Sequence, residues 1–170
     1  GGVGKTTLVT ELGKQVKGKQ FDEVVMVVVS RNIDVEKIQQ NIATRLGMDE
    51  LPNDAGSRRE KLWDRILRGK KVLVIMDDVW SRLDLNKLGI PVGKHNNSVC
   101  KVVLTSRNET ECKRMDARTI VRVTPMPEKE AWDLFKYVVM GDNVDTHLDV
   151  NRIEGKIFNE CGGLPLALSL

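Results

Sequence analysis

The stretch KVLVIMDDVW at residues 71–80 runs through five consecutive apolar residues, Val72 to Met76, and then stops on two carboxylates, Asp77 and Asp78. Apolar side chains with no polar alternation predict a strand buried on both faces, as in a parallel sheet covered by helices. An unpaired carboxylate is costly to bury, so the two acids are expected at the carboxyl edge of that sheet, beside a cation or a polar partner. Asp77 fits the acid that holds a Mg²⁺ shell, and Asp78 fits a group that orients or deprotonates an attacking water. In isolation the same letters describe only a strand followed by an Asp-rich turn. What changes the reading lies 72 residues before Asp77.

There the chain opens with Gly1-Gly2-Val3-Gly4-Lys5-Thr6-Thr7, the closing part of the phosphate-binding pattern GxxxxGK[ST]. Glycine backbone amides in such a loop cradle phosphate oxygens. Lys5 supplies a point charge to the β- and γ-phosphates, and the Thr6 hydroxyl supplies a ligand to Mg²⁺. A helix beginning near Lys5 aims its positive dipole end at the same anion. The pattern's first glycine, and the strand expected ahead of it, would precede Gly1. A third element, Val102-Val103-Leu104-Thr105-Ser106-Arg107, closes a strand with hydroxyls and a cation. In a parallel sheet that end shares an edge with Asp77, so Arg107 can reach a γ-phosphate and report its presence; alone it would read as a surface arginine.

Working outward, Leu8, Leu12 and Val16 form one apolar stripe on a helix over 5–17. Val24 to Val29 predicts a second buried strand. Val35, Ile38, Ile42 and Leu46 predict another helix, with Asp34 as its N-cap and Gly47 as its stop. Ser57 and Glu60 have the spacing of a capping box, opening a helix through Leu62, Ile66 and Leu67. Lys101 to Thr105 predicts a third strand, and Thr119 to Val123 a fourth, short one. Strands alternating with helices imply a parallel α/β sheet covered on both faces.

Beyond Pro125-Met126-Pro127 the pattern is helical only: Ala131, Leu134, Phe135 and Val138, then Leu148, Ile153, Ile157 and Phe158. Gly162-Gly163 ends that run, and Pro165 begins a further helix over Leu166 to Leu170. A boundary near residue 124 separates an α/β part, 1–124, from an all-helical part, 125–170.

The 170 residues include 41% hydrophobic, 30% charged and 4% aromatic types, which is globular rather than disordered composition. A chain of this length buries ~70% of its unfolded surface without needing disulfides. Lys and Arg number 27 against 24 Asp and Glu, a net +3, too little for a dedicated nucleic-acid binder. The longest aliphatic or methionine run, Val24 to Val29, is far short of the ~20 residues of a membrane helix, and no secretory signal is visible. Cys100, Cys112 and Cys161 are odd in number and form no CxxC pair, with only His95 and His147 as metal companions; they read as buried or inert thiols in a reducing compartment. No Cys-His or Ser-His-Asp spacing suggests a covalent nucleophile. The chain has no initiator Met and both ends fall inside motifs, so it is expected to be part of something longer.

These residues, in this order, resemble the nucleotide-binding (NB-ARC) domain of plant disease-resistance proteins that carry leucine-rich repeats downstream. GGVGKTTL at 1–8 resembles the family's phosphate loop, and FDEVVMVVVSRNIDVEKIQQNIATRLG at 21–47 the segment after it. KVLVIMDDVW resembles its metal-site strand, KVVLTSR at 101–107 its sensor strand, PMPEKEAWDLF at 125–135 the entry to its first helical (ARC1) subdomain, and GGLPLALSL at 162–170 its GLPLA segment. Trp80 closing the metal-site motif resembles the coiled-coil branch of the family. The resemblance implies a P-loop NTPase sheet with flanking helices, its first strand missing here, followed by the start of the helical subdomain. It also implies that Arg107 senses the γ-phosphate and that Pro165 contacts the base or ribose region of an adenine nucleotide.

The function implied is an ADP/ATP switch with Mg²⁺ in a cytoplasmic immune receptor, hydrolysing ATP slowly at most. The expected partners are the receptor's own N-terminal signalling domain and leucine-rich repeats, with oligomerisation on activation. The alternative is a turnover P-loop ATPase of another class, such as a remodelling motor, because the phosphate loop and acid pair do not distinguish slow from fast hydrolysis. A scaffold that binds nothing is disfavoured by the intact Gly4-Lys5-Thr6 and Asp77-Asp78.

Overall fold

Three aliphatic runs become strands, β1 (Glu23–Val28), β2 (Val72–Val79) and β3 (Cys100–Ser106). They form a parallel sheet in the order β1-β2-β3, with Val25 opposite Val74 and Ile75 opposite Val103. The computed structural model describes residues 2–68, 70–93, 99–140 and 151–169. Side chains of a strand alternate between faces, and the apolar runs therefore serve two cores. On one face Val25, Val27, Val72, Val74 and Met76 pack with Ile38, Ile42 and Ala43 of α2 (Val35–Arg45) and with Leu62 and Ile66 of α3 (Ala55–Leu67). On the other, Val24, Leu73, Ile75 and Val103 pack with Val9 of α1 (Lys5–Val16). Gly13 permits that approach: a Cβ there would lie 3.1 Å from Ile75 Cδ1 and 3.2 Å from Val24 Cγ1, tight contacts that its hydrogen avoids.

Local signals set the helix ends. The Asp34 carboxylate accepts from Lys37 N at 2.9 Å, capping α2 as expected, and Gly47 leaves the helix at a φ of +66°, where a Cβ is strained. α3 begins earlier than the Ser57–Glu60 capping box predicts. Its N-cap is Asp54, whose carboxylate accepts from both the backbone N and the hydroxyl of Ser57. An aspartate three residues upstream offers two acceptor oxygens and so outcompetes a serine hydroxyl for the orphan amides.

Three further expectations are corrected. β2 does not stop before its acids but continues to Val79, with a register shift against β3 between Met76 and Val79. Residues 119–123 form no strand: no strand neighbour among the described residues pairs with them, and Val121 is 77% exposed. A short helix, α4 (Glu109–Arg114), follows β3 unannounced, although Asn108 caps it through Thr110 N and Glu111 stands three residues on.

Chain contacts divide the molecule into Thr6–Ile120, which holds the sheet, and Gly1–Lys5 together with Val121–Leu170. In the second unit lie α5 (Glu128–Met140), α6 (Asn151–Cys161) and the single turn α7 (Pro165–Leu168). Its core joins Ala131, Phe135, Phe158, Cys161 and Leu168, with Trp132 meeting Phe158 edge-on at 4.8 Å. Gly163 passes so close to the chain entering α5 that a Cβ would lie 2.7 Å from Met126 O. Cys100 and Cys161 are buried free thiols, and burial pushes the Cys100 thiol up to about 12. Gly1, His95, His147 and Leu148 lie outside the described residues.

Candidate functional site

The carboxyl edge of the sheet gathers the chemistry. Asp77, 3% exposed, is held from both sides by hydroxyls: Thr6 Oγ1, from the first turn of α1, donates to Oδ2 at 2.7 Å, and Thr105 Oγ1, from the end of β3, donates to Oδ1 at 2.6 Å. A buried carboxylate without a cation is tolerable when its oxygens accept such bonds. The parallel order brings these three residues together, because α1, β2 and β3 all present their ends at one edge.

Asp78 adopts a φ of +57°, a left-handed conformation that aspartate reaches more readily than most side chains. Its amide donates to Thr105 Oγ1 at 2.9 Å, so the same hydroxyl ties the two acids together. The Asp78 carboxylate is itself occupied: Trp80 Nε1 donates to Oδ2 at 2.9 Å, and Arg107 Nε donates to Oδ1 at 3.3 Å. Ser106 Oγ donates to Val79 O at 2.8 Å, fixing the turn from which Arg107 projects.

The donor set of one hydroxyl and one carboxylate suits Mg²⁺, a cation bound through one or two carboxylates and otherwise by water and phosphate oxygens. No cluster of three or more His, Cys, Asp or Glu side chains among the described residues forms a self-sufficient metal cage.

Of the residues singled out from the sequence, Thr6, Asp77, Asp78 and Arg107 meet in this cluster. Gly2, Val3, Gly4 and Lys5 belong to the other unit by their contacts, where Gly2 meets Leu166 and Gly4 lies beside Pro165. Leu166 N donates to Gly2 O at 3.3 Å, and a Cβ on Gly4 would lie 3.9 Å from Pro165 Cγ. Gly2 and Gly4 have φ values of +82° and +86°, the conformation that lets successive amides turn toward one point. Thr7 is exposed on α1. Two participants were missed: Thr105, which braces both acids, and Arg31, whose guanidinium lies over Trp80. Thr105 carried a usable signal, a hydroxyl at the end of the strand that follows the acids; Arg31 carried none.

The NB-ARC domain family matches residues 1–145. Disease resistance protein RFL1 of Arabidopsis thaliana is 35% identical, over 100% of this chain and 20% of that protein. Disease resistance protein SUMM2 of the same plant is 36% identical, over 100% of this chain and 19% of its own length. A probable disease resistance protein, also from Arabidopsis thaliana, is 37% identical over 98% of this chain and 46% of its own. The chain thus spans less than half of each of these relatives.

Proposed function

The chain belongs to the NB-ARC domain family, and from that premise we propose that it is the nucleotide-binding module of a cytoplasmic plant immune receptor, switching between ADP and ATP and hydrolysing ATP slowly at most. The observation that carries this reading is the double hold on Asp77 by Thr6 and Thr105, because it presents a hydroxyl and a carboxylate in the arrangement that a Mg²⁺–phosphate pair needs. Lys5, immediately before Thr6, takes the phosphate charge, and the amides of Gly2 to Lys5 take its oxygens. Thr6 and Asp77 would hold Mg²⁺, which would supply positive charge against the phosphates. Pro165, beside the glycine loop, packs against the base or ribose.

ADP holds the closed resting form, and exchange for ATP favours an open signalling form. A ligand shifts such an equilibrium only through contacts that differ between the two states. The γ-phosphate is that difference, and Arg107, anchored through Nε to Asp78, is the group that reads it. Trp80 Nε1 and Arg107 Nε each donate to the Asp78 carboxylate and so orient it, with lone pairs left over for a water. In the whole receptor the module works with a signalling domain upstream and leucine-rich repeats downstream, and oligomerises on activation.

The test is nucleotide binding by the full-length protein and its Lys5→Ala variant, with and without Mg²⁺. Wild-type protein should purify with ADP and turn over very slowly, while Lys5→Ala should lose nucleotide. Tight ADP or ATP binding retained by the variant would overturn the assignment, and rapid multiple turnover would favour the motor.

A further inference from the structure

Trp80 is attended by two guanidinium groups: Arg31 Cζ lies 4.0 Å from the indole ring centroid and Arg107 Cζ lies 4.9 Å from it. The two cations keep different company. Arg107 is ion-paired with Asp78 at 3.3 Å, and the indole N–H donates to the same carboxylate. Arg31 is exposed, on the loop that leaves β1 at the carboxyl edge of the sheet, and among the described residues it makes no ion pair. A guanidinium is always charged in a protein. One carboxylate, Asp78, therefore stands among two arginines and leaves one positive charge unbalanced. That charge is joined to the Asp77 site by a short chain of contacts: Arg31 covers Trp80, Trp80 donates to Asp78, and the amide of Asp78 donates to the hydroxyl that braces Asp77.

We propose that Arg31 is a second γ-phosphate contact and a determinant of triphosphate-over-diphosphate selectivity, parked on the face of Trp80 until the nucleotide's terminal phosphate arrives. This rests on the nucleotide-switch reading above and names a residue that reading does not use. Arg107 is anchored through Nε to the Asp78 carboxylate. Among the described residues Arg31 has just a ring face to leave, a weaker hold at an exposed site, and it brings a fork of donors matched to phosphate geometry. The ring orients the cation in advance, which lowers the cost of ordering a long side chain when the phosphate binds.

The experiment compares affinities of the full-length protein for ADP and for a non-hydrolysable ATP analogue, both with Mg²⁺, by calorimetry. Arg31→Gln should weaken the triphosphate on the order of tenfold and leave ADP nearly unchanged; retained ADP binding also shows that the variant is folded. Arg31→Lys, which keeps the charge but not the fork, should recover only part of the loss. An unchanged ATP-to-ADP ratio in Arg31→Gln, or an equal loss of both ligands, overturns the role of Arg31 while leaving the switch reading intact. A wild-type protein that binds neither nucleotide overturns both.

Discussion

A carboxylate that is 3% exposed and makes no ion pair among the described residues is costly to bury. Asp77 stays because each of its oxygens accepts a hydroxyl proton, from Thr6 on one side and Thr105 on the other. Thr105 is the more committed of the two, since its oxygen also accepts the Asp78 amide. Replacing Thr105 with valine keeps the volume and removes every one of those bonds. The buried Oδ1 of Asp77 and the strained Asp78 amide then go unpartnered. Thr105→Val should cost about 1–3 kcal/mol, read as a lower midpoint in denaturant, and should weaken Mg²⁺-dependent nucleotide binding. A variant as stable as wild type would mean that water or a rearranged neighbour replaces the hydroxyl. The acid pair was legible in the sequence because two aspartates after five apolar residues break the pattern so sharply. Thr105 left a weaker signal, a hydroxyl at a strand end, whose bracing role shows only once its partner is known to lie opposite.

Elements of the sheet unit follow from short-range rules wherever the rule has one claimant. α2 begins where Asp34 says it should, since no other side chain nearby competes for the Lys37 amide. Asp34→Ala should therefore destabilise by ~1 kcal/mol, seen in thermal unfolding; no change would mean that the helix end is held by packing alone. α3 shows the rule failing under competition, with Asp54 taking the cap from Ser57. The run at 119–123 shows a different failure. Strand propensity is realised only when a neighbouring strand accepts the backbone hydrogen bonds, and these residues have none among those described. β2 passes through its acids because pairing with β1 continues to Val28 opposite Asp77, while the register shift against β3 takes up Asp78 at positive φ.

Across the whole sheet unit, one polar joint ties distant pieces together. Glu23, at the start of β1, accepts from Arg65 of α3 at 2.9 Å and from Lys70 at 3.0 Å, and Arg65 also reaches Leu46 O at the end of α2. The Arg65 hydrogen bond holds the Glu23 carboxyl below its usual range, against a desolvation that pushes the other way. A carboxylate with a lowered folded pKa stabilises the fold above its unfolded value, and that stability is lost as pH falls through the lower folded value. Stability should therefore be flat near neutrality and decline below about pH 4.3, with Glu23→Gln costing about 1–2 kcal/mol at pH 7 and flattening the acid limb. Titrated chemical denaturation measures both; an unchanged acid limb in the variant would assign it to other carboxylates.

The amino-acid sequence alone determined that the chain carries a parallel sheet flanked by helices and which runs form its three strands, though it also offered 119–123, and it set a phosphate-loop pattern ahead of an acid pair. Those are properties of periodicity and of residue type at fixed spacing, and they need no partner to be read. Only the tertiary structure decided how Asp77 is satisfied, that Asp78 is spoken for by Trp80 and Arg107, and that Arg31 stands over the same ring. The reason is distance along the chain: Thr6, Arg31, Asp77 and Thr105 come from four separate segments, and nothing local tells one of them where the others will be. Parallel pairing places the ends of β1, β2 and β3 at one edge, and at that edge four unremarkable residues become one polar cluster.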